Sequence, residues 1–456
     1  MVKGITLIQP RHNLAPKMGM GHIYMPTPLL CVASRLIGAG VDVLLNDENF
    51  EQYFRPTNLV GIHLGGVSYI PLAREIINER YLGHKYFIGG PVVNGLSEGQ
   101  FRKLFGNNAF NGNLDSVLER ELNIFRGDLK RPEETSLIEG YELICDEVMF
   151  EYLARESSLY VSQGCKFACN FCAADRTCKD PVTGKMKIVR ERYRDLDVLR
   201  EDLVYLANRA KRLGLSELSF YMSNLDVFQT PGKLLEFVNV VEEVRSKENV
   251  EFKLRGLSTV DSFLRTDDDI IGQLVDVGFY SVGFGVDGMT AEVWNKVKKG
   301  HNTEDKCLNA IKRAYESRIT PELLMVFGHN GADTEGSLRK AYDFSKDMVE
   351  VFGAIPRPHV AKAFLPGNDG WTDLKYQSSV RTLLDHPELF HNLDFTTLPT
   401  ELTHPNRELR LLTIKYFLEI CNLPGNTTKY LLPIEEGMTS EQQKNVVDFN
   451  RGRYDH

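Results

Sequence analysis

Short apolar runs recur through the first quarter of the chain, each followed by turn residues or by a stretch with helical spacing. Residues 5–8 precede a loop rich in Gly, Met and Pro, and residues 29–37 carry apolar positions at helical intervals before Gly38 and Gly40. Residues 41–45, 59–64 and 86–88 continue the series. Strands alternating with helices predict a parallel sheet wound by crossover connections, so residues 1–125 are expected to form a small Rossmann-like domain.

Residues 126–157 are charged and irregular, with Arg131-Pro132-Glu133-Glu134, and read as a linker that partly folds over its neighbours. A second alternating series follows. Residues 159–161, 218–221, 250–254, 281–285 and 323–327 are strand candidates, with helical patterns at 196–213, 232–245 and 303–316. Such units predict a partial (β/α)6 barrel over residues 158–369, similar to a TIM barrel, with chemistry at the carboxyl ends of its strands. Residues 370–456 turn to polar helices and turns, residues 408–420 being the clearest helix, and read as a small, mostly helical carboxyl-terminal region. The fold class is thus α/β, with no fixed-period repeat and no low-complexity tract.

The length of 456 residues fits two domains and an appendage. A formal net charge of -8 and the lack of a long Lys/Arg run leave no electrostatic footprint for general nucleic-acid binding. The opening MVKGITLIQPRHNLAP is interrupted by Gln9, Pro10 and Arg11 before a signal-peptide core forms, and no apolar stretch approaches the roughly 20 residues of a membrane span. A cytoplasmic protein without a membrane partner is expected. Eight cysteines are too few for a disulfide scaffold in a chain of this size, which fits a reducing compartment.

Three of those cysteines form the run Cys165-Lys-Phe-Ala-Cys169-Asn-Phe-Cys172. Thiolates are soft, strongly donating iron ligands, and a cubane cluster held by only three keeps one iron open to chelate a substrate or cofactor. The competing reading is a closed, tetrahedral zinc site with Cys178 as fourth ligand, but no second Cys-x2-Cys or His pair follows. The isolated Cys31, Cys145, Cys307 and Cys421 read as small buried apolar residues.

The run resembles the Cys-x3-Cys-x2-Cys motif of the radical S-adenosylmethionine superfamily, including the aromatic Phe171 before the last cysteine. The order of features from residue 159 to about 365 is similar to that domain throughout. The resemblance implies that Cys165, Cys169 and Cys172 hold a [4Fe-4S] cluster whose open iron takes S-adenosylmethionine, and that reductive cleavage gives a 5′-deoxyadenosyl radical. It further implies Ser223, Asn224 and Asp226 near the methionine amino group, Arg255 and Ser258 near the carboxylate and ribose, Asp287 at the next strand end, and Gly328 near adenine. Asn and Asp after a strand are also ordinary turn formers, and a turn alone would explain the glycines. Asp287 stands where the family more often has Glu.

The amino-terminal part resembles the cobalamin-binding-type domain found in one branch of this superfamily, through Pro26-Thr-Pro28, Ala39-Gly40-Val41-Asp42-Val43, Val60-Gly61-Ile62-His63 and Phe87-Ile-Gly89-Gly90-Pro91. In that reading Gly65, Gly66, Val67 and Ser68 face a corrin, and Gly89 and Gly90 allow close backbone approach. The Asp-x-His-x-x-Gly cobalt-ligand signature is absent, His63 reads as a core residue, and Asn111-Gly112-Asn113-Leu114-Asp115 replaces an acidic element frequent in the branch. A scaffold or partner surface without cobalamin therefore stays open.

Together the resemblances imply a radical enzyme that methylates a carbon of a small molecule with cobalamin. The alternative is a non-methylating lyase, cyclase or rearrangement enzyme acting on a modified nucleobase, tetrapyrrole or natural-product intermediate. A degenerate, non-catalytic barrel binding zinc or a nucleotide is a third reading, opposed by the intact triplet. The expected partners are a small-molecule substrate and an external one-electron reductant of flavodoxin or ferredoxin type. Trp371, Tyr376 and His404 are substrate-pocket candidates, although an aromatic in a helix is usually core.

Overall fold

The computed structural model describes residues 4–11, 24–50, 54, 56–80, 82–111, 121–124, 128–167, 169–172, 178–179, 186–187 and 191–452, with backbone alone at 178–179, 186–187 and 451–452. The amino-terminal sheet comprises β1 (Gly4–Gln9), β2 (Asp42–Asp47), β3 (Leu59–His63), β4 (Lys85–Gly89) and β5 (Ala109–Asn111). All its pairs are parallel, in the order β2-β1-β3-β4-β5. The crossovers include the helices Thr27–Gly38, Tyr69–Glu75 and Glu98–Phe105, the last begun by a Ser97/Gln100 capping box that satisfies two end groups.

A strand alternates its side chains between two faces, and here both faces are covered. Ile5, Leu7, Val43 and Leu45 pack towards the helix Thr27–Gly38 and a core continuous with the barrel. Ile8, Val60, Ile62 and Ile88 pack on the other side, against Phe364, which follows the barrel's last strand, and Trp371, Leu383, Phe390 and Ile434 from the carboxyl-terminal region. That region therefore shares in the core on one face of the amino-terminal sheet. The Trp371 indole also donates to Gln100 Oε1 at 3.2 Å.

The second sheet is β6 (Glu156–Leu159), β7 (Glu217–Met222), β8 (Glu251–Ser258), β9 (Phe279–Gly285), β10 (Thr320–Phe327) and β11 (Ile355–Val360), parallel and in sequential order. Long helices such as Leu196–Arg212, Pro231–Glu248, Glu304–Glu316 and Glu335–Phe352 connect them. This is the expected α/β architecture with a partial barrel. Two strands differ from the sequence reading. The first begins at Glu156, three residues early, in polar residues that carry no apolar signal, Glu156 being paired with Arg255 inside the barrel. The last, IPRPHV, is an edge strand, where a missing proline N–H costs no ladder bond.

Residues 128–155 pack rather than dangle. Leu137, Tyr141, Met149 and Tyr152 are buried, and Arg194 donates to Asp202 at 2.6 Å and to Thr135 O at 2.7 Å, pinning the segment from beneath. At the amino-terminal end of the barrel, Arg255 grips Glu156 and lies 3.6 Å from Glu322, which accepts from Arg357 at 3.0 Å. Four charges from four strands thus fill the bottom of the barrel. Among the described residues no helix is long and apolar enough to cross a membrane.

Candidate functional site

Beyond β6, the chain crosses the carboxyl end of the barrel as the cysteine loop, which is tied down from several strand ends. Lys166 N donates to Gln229 Oε1 at 2.7 Å and Lys166 Nζ to Ser262 Oγ at 3.2 Å. Asn170 donates through N to Val297 O at 3.3 Å and through Nδ2 to Lys296 O at 2.6 Å. Phe167 stacks on His301 at 4.4 Å, and Phe171 tilts against His329 at 5.9 Å. Cys169 is buried, whereas Cys165 and Cys172 are half-buried.

Burial pushes the Cys169 thiol up to about 12, while the nearby Lys299 ammonium pulls it down and Asp287 and the other two cysteines raise it. Lys299 is itself buried and ion-paired to Asp287, and it donates to Gly285 O at 3.0 Å. A ready-made cation therefore stands near a thiol that burial disfavours from ionising. Nothing local in the sequence marks Lys299 for this task. Among the described residues, the three cysteines included, no three His, Cys, Asp or Glu side chains close on a single ion. The side chain of Cys178 lies outside the described residues.

The residues expected around S-adenosylmethionine sit at consecutive strand ends. Ser223 donates to Leu159 O at 3.1 Å; Asn224 is buried and donates to Ser162 Oγ at 2.6 Å, with its Oδ1 unpartnered among the described residues. Asp226 accepts from Ser258 Oγ at 3.3 Å and Thr259 Oγ1 at 2.9 Å, and burial raises its carboxyl against those bonds. Gly328, at positive φ, has its carbonyl bonded to His404 Nε2 at 3.0 Å. Arg255 is a correction: its guanidinium is committed to Glu156 and Glu322 deep in the barrel and is not available to a cofactor carboxylate.

A cavity of about 440 Å³ lies between the two domains. Gly65, Gly66, Val67, Ser68, Pro91 and Val92 bound it from the amino-terminal sheet, and Phe171 and Cys172 from the cysteine loop. Asp287, Leu324, Val326 and His359 come from the barrel, and Leu393, Asp394 and Phe395 from the carboxyl-terminal region. Gly89 is not in the lining, but Gly90 (φ +120°) lets the chain pass so close that a Cβ would come within 2.2 Å of Leu64 O. His63 is held by Gln9 Oε1 at 3.3 Å, and burial lowers it to about 4, as suits a core residue.

Of the proposed pocket residues, Tyr376 lines a separate cleft of about 220 Å³ on the other side of Phe171, while Trp371 and His404 are buried structural groups. Asn111 ends β5, and residues 112–115 lie outside the described residues. His359 and Asp394 were missed from the sequence, where nothing local marks them.

Residues 159–341 match the radical SAM superfamily. No curated protein matches the chain. Among solved structures, the radical S-adenosylmethionine methyltransferase TsrM from Kitasatospora setae, with cobalamin and a [4Fe-4S] cluster bound, is similar at 14% identity and a TM-score of 0.61, over 83% of this chain and 79% of that one. The cobalamin-dependent S-adenosylmethionine radical enzyme OxsB, with aqua-cobalamin and S-adenosylmethionine bound, is similar at 14% identity and a TM-score of 0.56 over 87% of this chain, which spans only 57% of OxsB. The strand order, the loop of three cysteines across the barrel mouth and the superfamily match agree: residues 159–341, the greater part of the barrel, match the radical SAM superfamily, and the chain carries the two-domain fold of these two neighbours.

Proposed function

We propose that this chain methylates a carbon of a small molecule, using a [4Fe-4S] cluster held by Cys165, Cys169 and Cys172, S-adenosylmethionine, and cobalamin bound by the amino-terminal domain. The observation that carries the reading is the single cavity bounded at once by the Gly65–Gly66 loop, by Cys172 and by the barrel strand ends. What the two neighbours are described as binding, cobalamin with either a cluster or S-adenosylmethionine, supports the same reading.

The residues present fit these groups. Three thiols lie in a loop walled by Phe167 and Phe171, with the Lys299 ammonium favouring the ionised form of Cys169. The unpartnered Oδ1 of Asn224 is an acceptor for an ammonium, and a buried acceptor without a donor is costly unless a ligand supplies one. A Cβ at Gly66, in the cavity lining, would meet only ordinary contacts at 4.0 Å, and Gly89 faces open space. When bound, the cofactors supply one-electron cleavage of a carbon–sulfur bond and a transferable methyl group. The chain's own part is to hold the thiolates, to keep water from the loop with aromatic rings, and to orient both partners across one space. Electrons would come from a one-electron reductant of flavodoxin or ferredoxin type.

The test is anaerobic reconstitution with iron, sulfide and hydroxocobalamin, followed by removal of unbound cofactor. The expected result is about four irons and about one corrin per chain, the first being the content of one cubane. S-adenosylmethionine consumption with methylated product would then follow on the true substrate. Iron without corrin would replace methylation by a lyase, cyclase or rearrangement reaction, and absence of iron would overturn the cluster assignment.

A further inference from the structure

His359 ends the last barrel strand but one residue and lines the interdomain cavity opposite the Gly65–Gly66 loop. Around it the lining is largely apolar, with Val67, Leu324, Val326 and Leu393. The other titratable groups of the lining have assigned tasks. Asp287 is paired with Lys299, Cys172 belongs to the triplet, and Asp394 Oδ1 accepts from Thr396 N at 2.9 Å and Thr396 Oγ1 at 2.8 Å. The Phe395 ring meets the imidazole edge-on at 6.2 Å and 85°, which limits its rotation.

No side chain among the described residues hydrogen-bonds the His359 ring. Burial favours the neutral imidazole, against the charges of Asp287 and Asp394 and a hydrogen bond to the Arg357 backbone, while the Arg357 charge acts with burial. A neutral imidazole has one donor nitrogen and one acceptor nitrogen. With no side chain bonded to the ring, its acceptor nitrogen is left for a ligand within a largely apolar cavity.

We infer that His359 is the hydrogen-bonding anchor of the substrate site: the cavity takes a flat, mostly apolar small molecule whose single N–H or O–H donates to the bare nitrogen of the ring. Small-molecule sites are commonly apolar walls around a few converging polar groups, and such a group discriminates by what is lost when its partner is missing. The inference rests on the proposed function for its claim that this cavity holds the substrate, and it deepens that reading by naming the substrate's class.

The full-length chain, taken through anaerobic reconstitution, is titrated with 2-naphthol and with 2-methylnaphthalene, two probes of nearly equal shape that differ in one hydroxyl donor. The wild-type chain is expected to bind 2-naphthol about tenfold more tightly, the ratio associated with one hydrogen bond to a buried acceptor. His359→Phe, which keeps a ring but no acceptor, should abolish the preference while leaving the affinity for 2-methylnaphthalene unchanged. His359→Gln, which restores an acceptor, should recover part of it. Equal affinities in the wild-type chain, a preference that survives His359→Phe, or no binding of either probe would overturn the assignment. Iron and corrin counts on the same samples separate the two readings. No preference in the wild-type chain with full cofactor content is a failure of this inference alone, whereas a wild-type preference without corrin is a failure of the methylation reading alone.

Discussion

Lys362 lies just past the barrel's last strand with about 1% of its surface exposed, and its ammonium donates to Thr397 O at 3.0 Å. Burial lowers its pKa from 10.5 to about 7, with Asp394 opposing the shift. Between about pH 7 and 10.5 the unfolded chain therefore holds a proton there that the folded chain releases, so stability rises with pH across that window. Below it, the folded chain carries the full cost of a buried cation. Lys362→Met should flatten this rise in urea titrations and raise the midpoint at pH 7; an unchanged slope would show that another group is responsible. The thiols make a second contrast. Cys169→Ser should lose cluster iron after reconstitution, whereas Cys307→Ala, in a fully buried apolar site, should keep it. Spacing made the triplet legible because three ligands fall within one loop. Arg255 was misread and His359 missed for the opposite reason: a guanidinium's partner and a histidine's surroundings are set by strands distant in sequence. Removing one side of the Arg255–Glu156 pair tests the corrected role. Glu156→Gln leaves a buried cation with poorer compensation and should cost about 3 kcal/mol in chemical denaturation.

At the scale of elements, the strands and helices with steady apolar periodicity were readable to within a few residues, including the helices Leu196–Arg212 and Arg407–Cys421. Two kinds of strand were hidden. Ile355–Val360 carries prolines at alternate positions, which argue against a strand until its edge position is known. Glu156–Leu159 begins with polar residues because the barrel's inner surface is lined with charge instead of aliphatic side chains. The pairing of β8 with β9 has a register shift between Leu254 and Arg255. Gly278, at φ +101°, precedes β9 there, and its carbonyl accepts from Leu254 N at 2.9 Å. A Cβ at that position would stand 1.8 Å from Phe252 O, against backbone that has no freedom to retreat. Gly278→Ala should therefore cost about 2–3 kcal/mol, from positive φ and overpacking together, and should be measurable as a lower urea midpoint with an unchanged slope.

At the scale of the whole molecule, the chain leaves the amino-terminal sheet, builds the barrel, and returns to finish the sheet it left. Trp371, Leu383, Phe390 and Ile434 lie in one core with Ile8, Val60 and Ile88, while the helix Arg407–Cys421 packs against the barrel's last strand and the helix before it. The division into consecutive domains suggested by the sequence does not describe this core, since apolar patterning marks a buried face without saying what buries it. A fragment ending at residue 360 should consequently bind a hydrophobic dye and be cleaved within residues 59–111 by limited proteolysis, whereas the full chain should resist in that region. Equal resistance would mean that the sheet folds without its late partners. The return of the chain also orders events during translation. The amino-terminal sheet leaves the ribosome first, yet part of the core on one of its faces is encoded hundreds of codons later, so a nascent chain can shape the barrel before it can seal the neighbouring domain. Assembly of the space between the two is thereby deferred until the far end of the message has been read, and a stalled or prematurely terminated product would expose an apolar face that cellular quality control recognises.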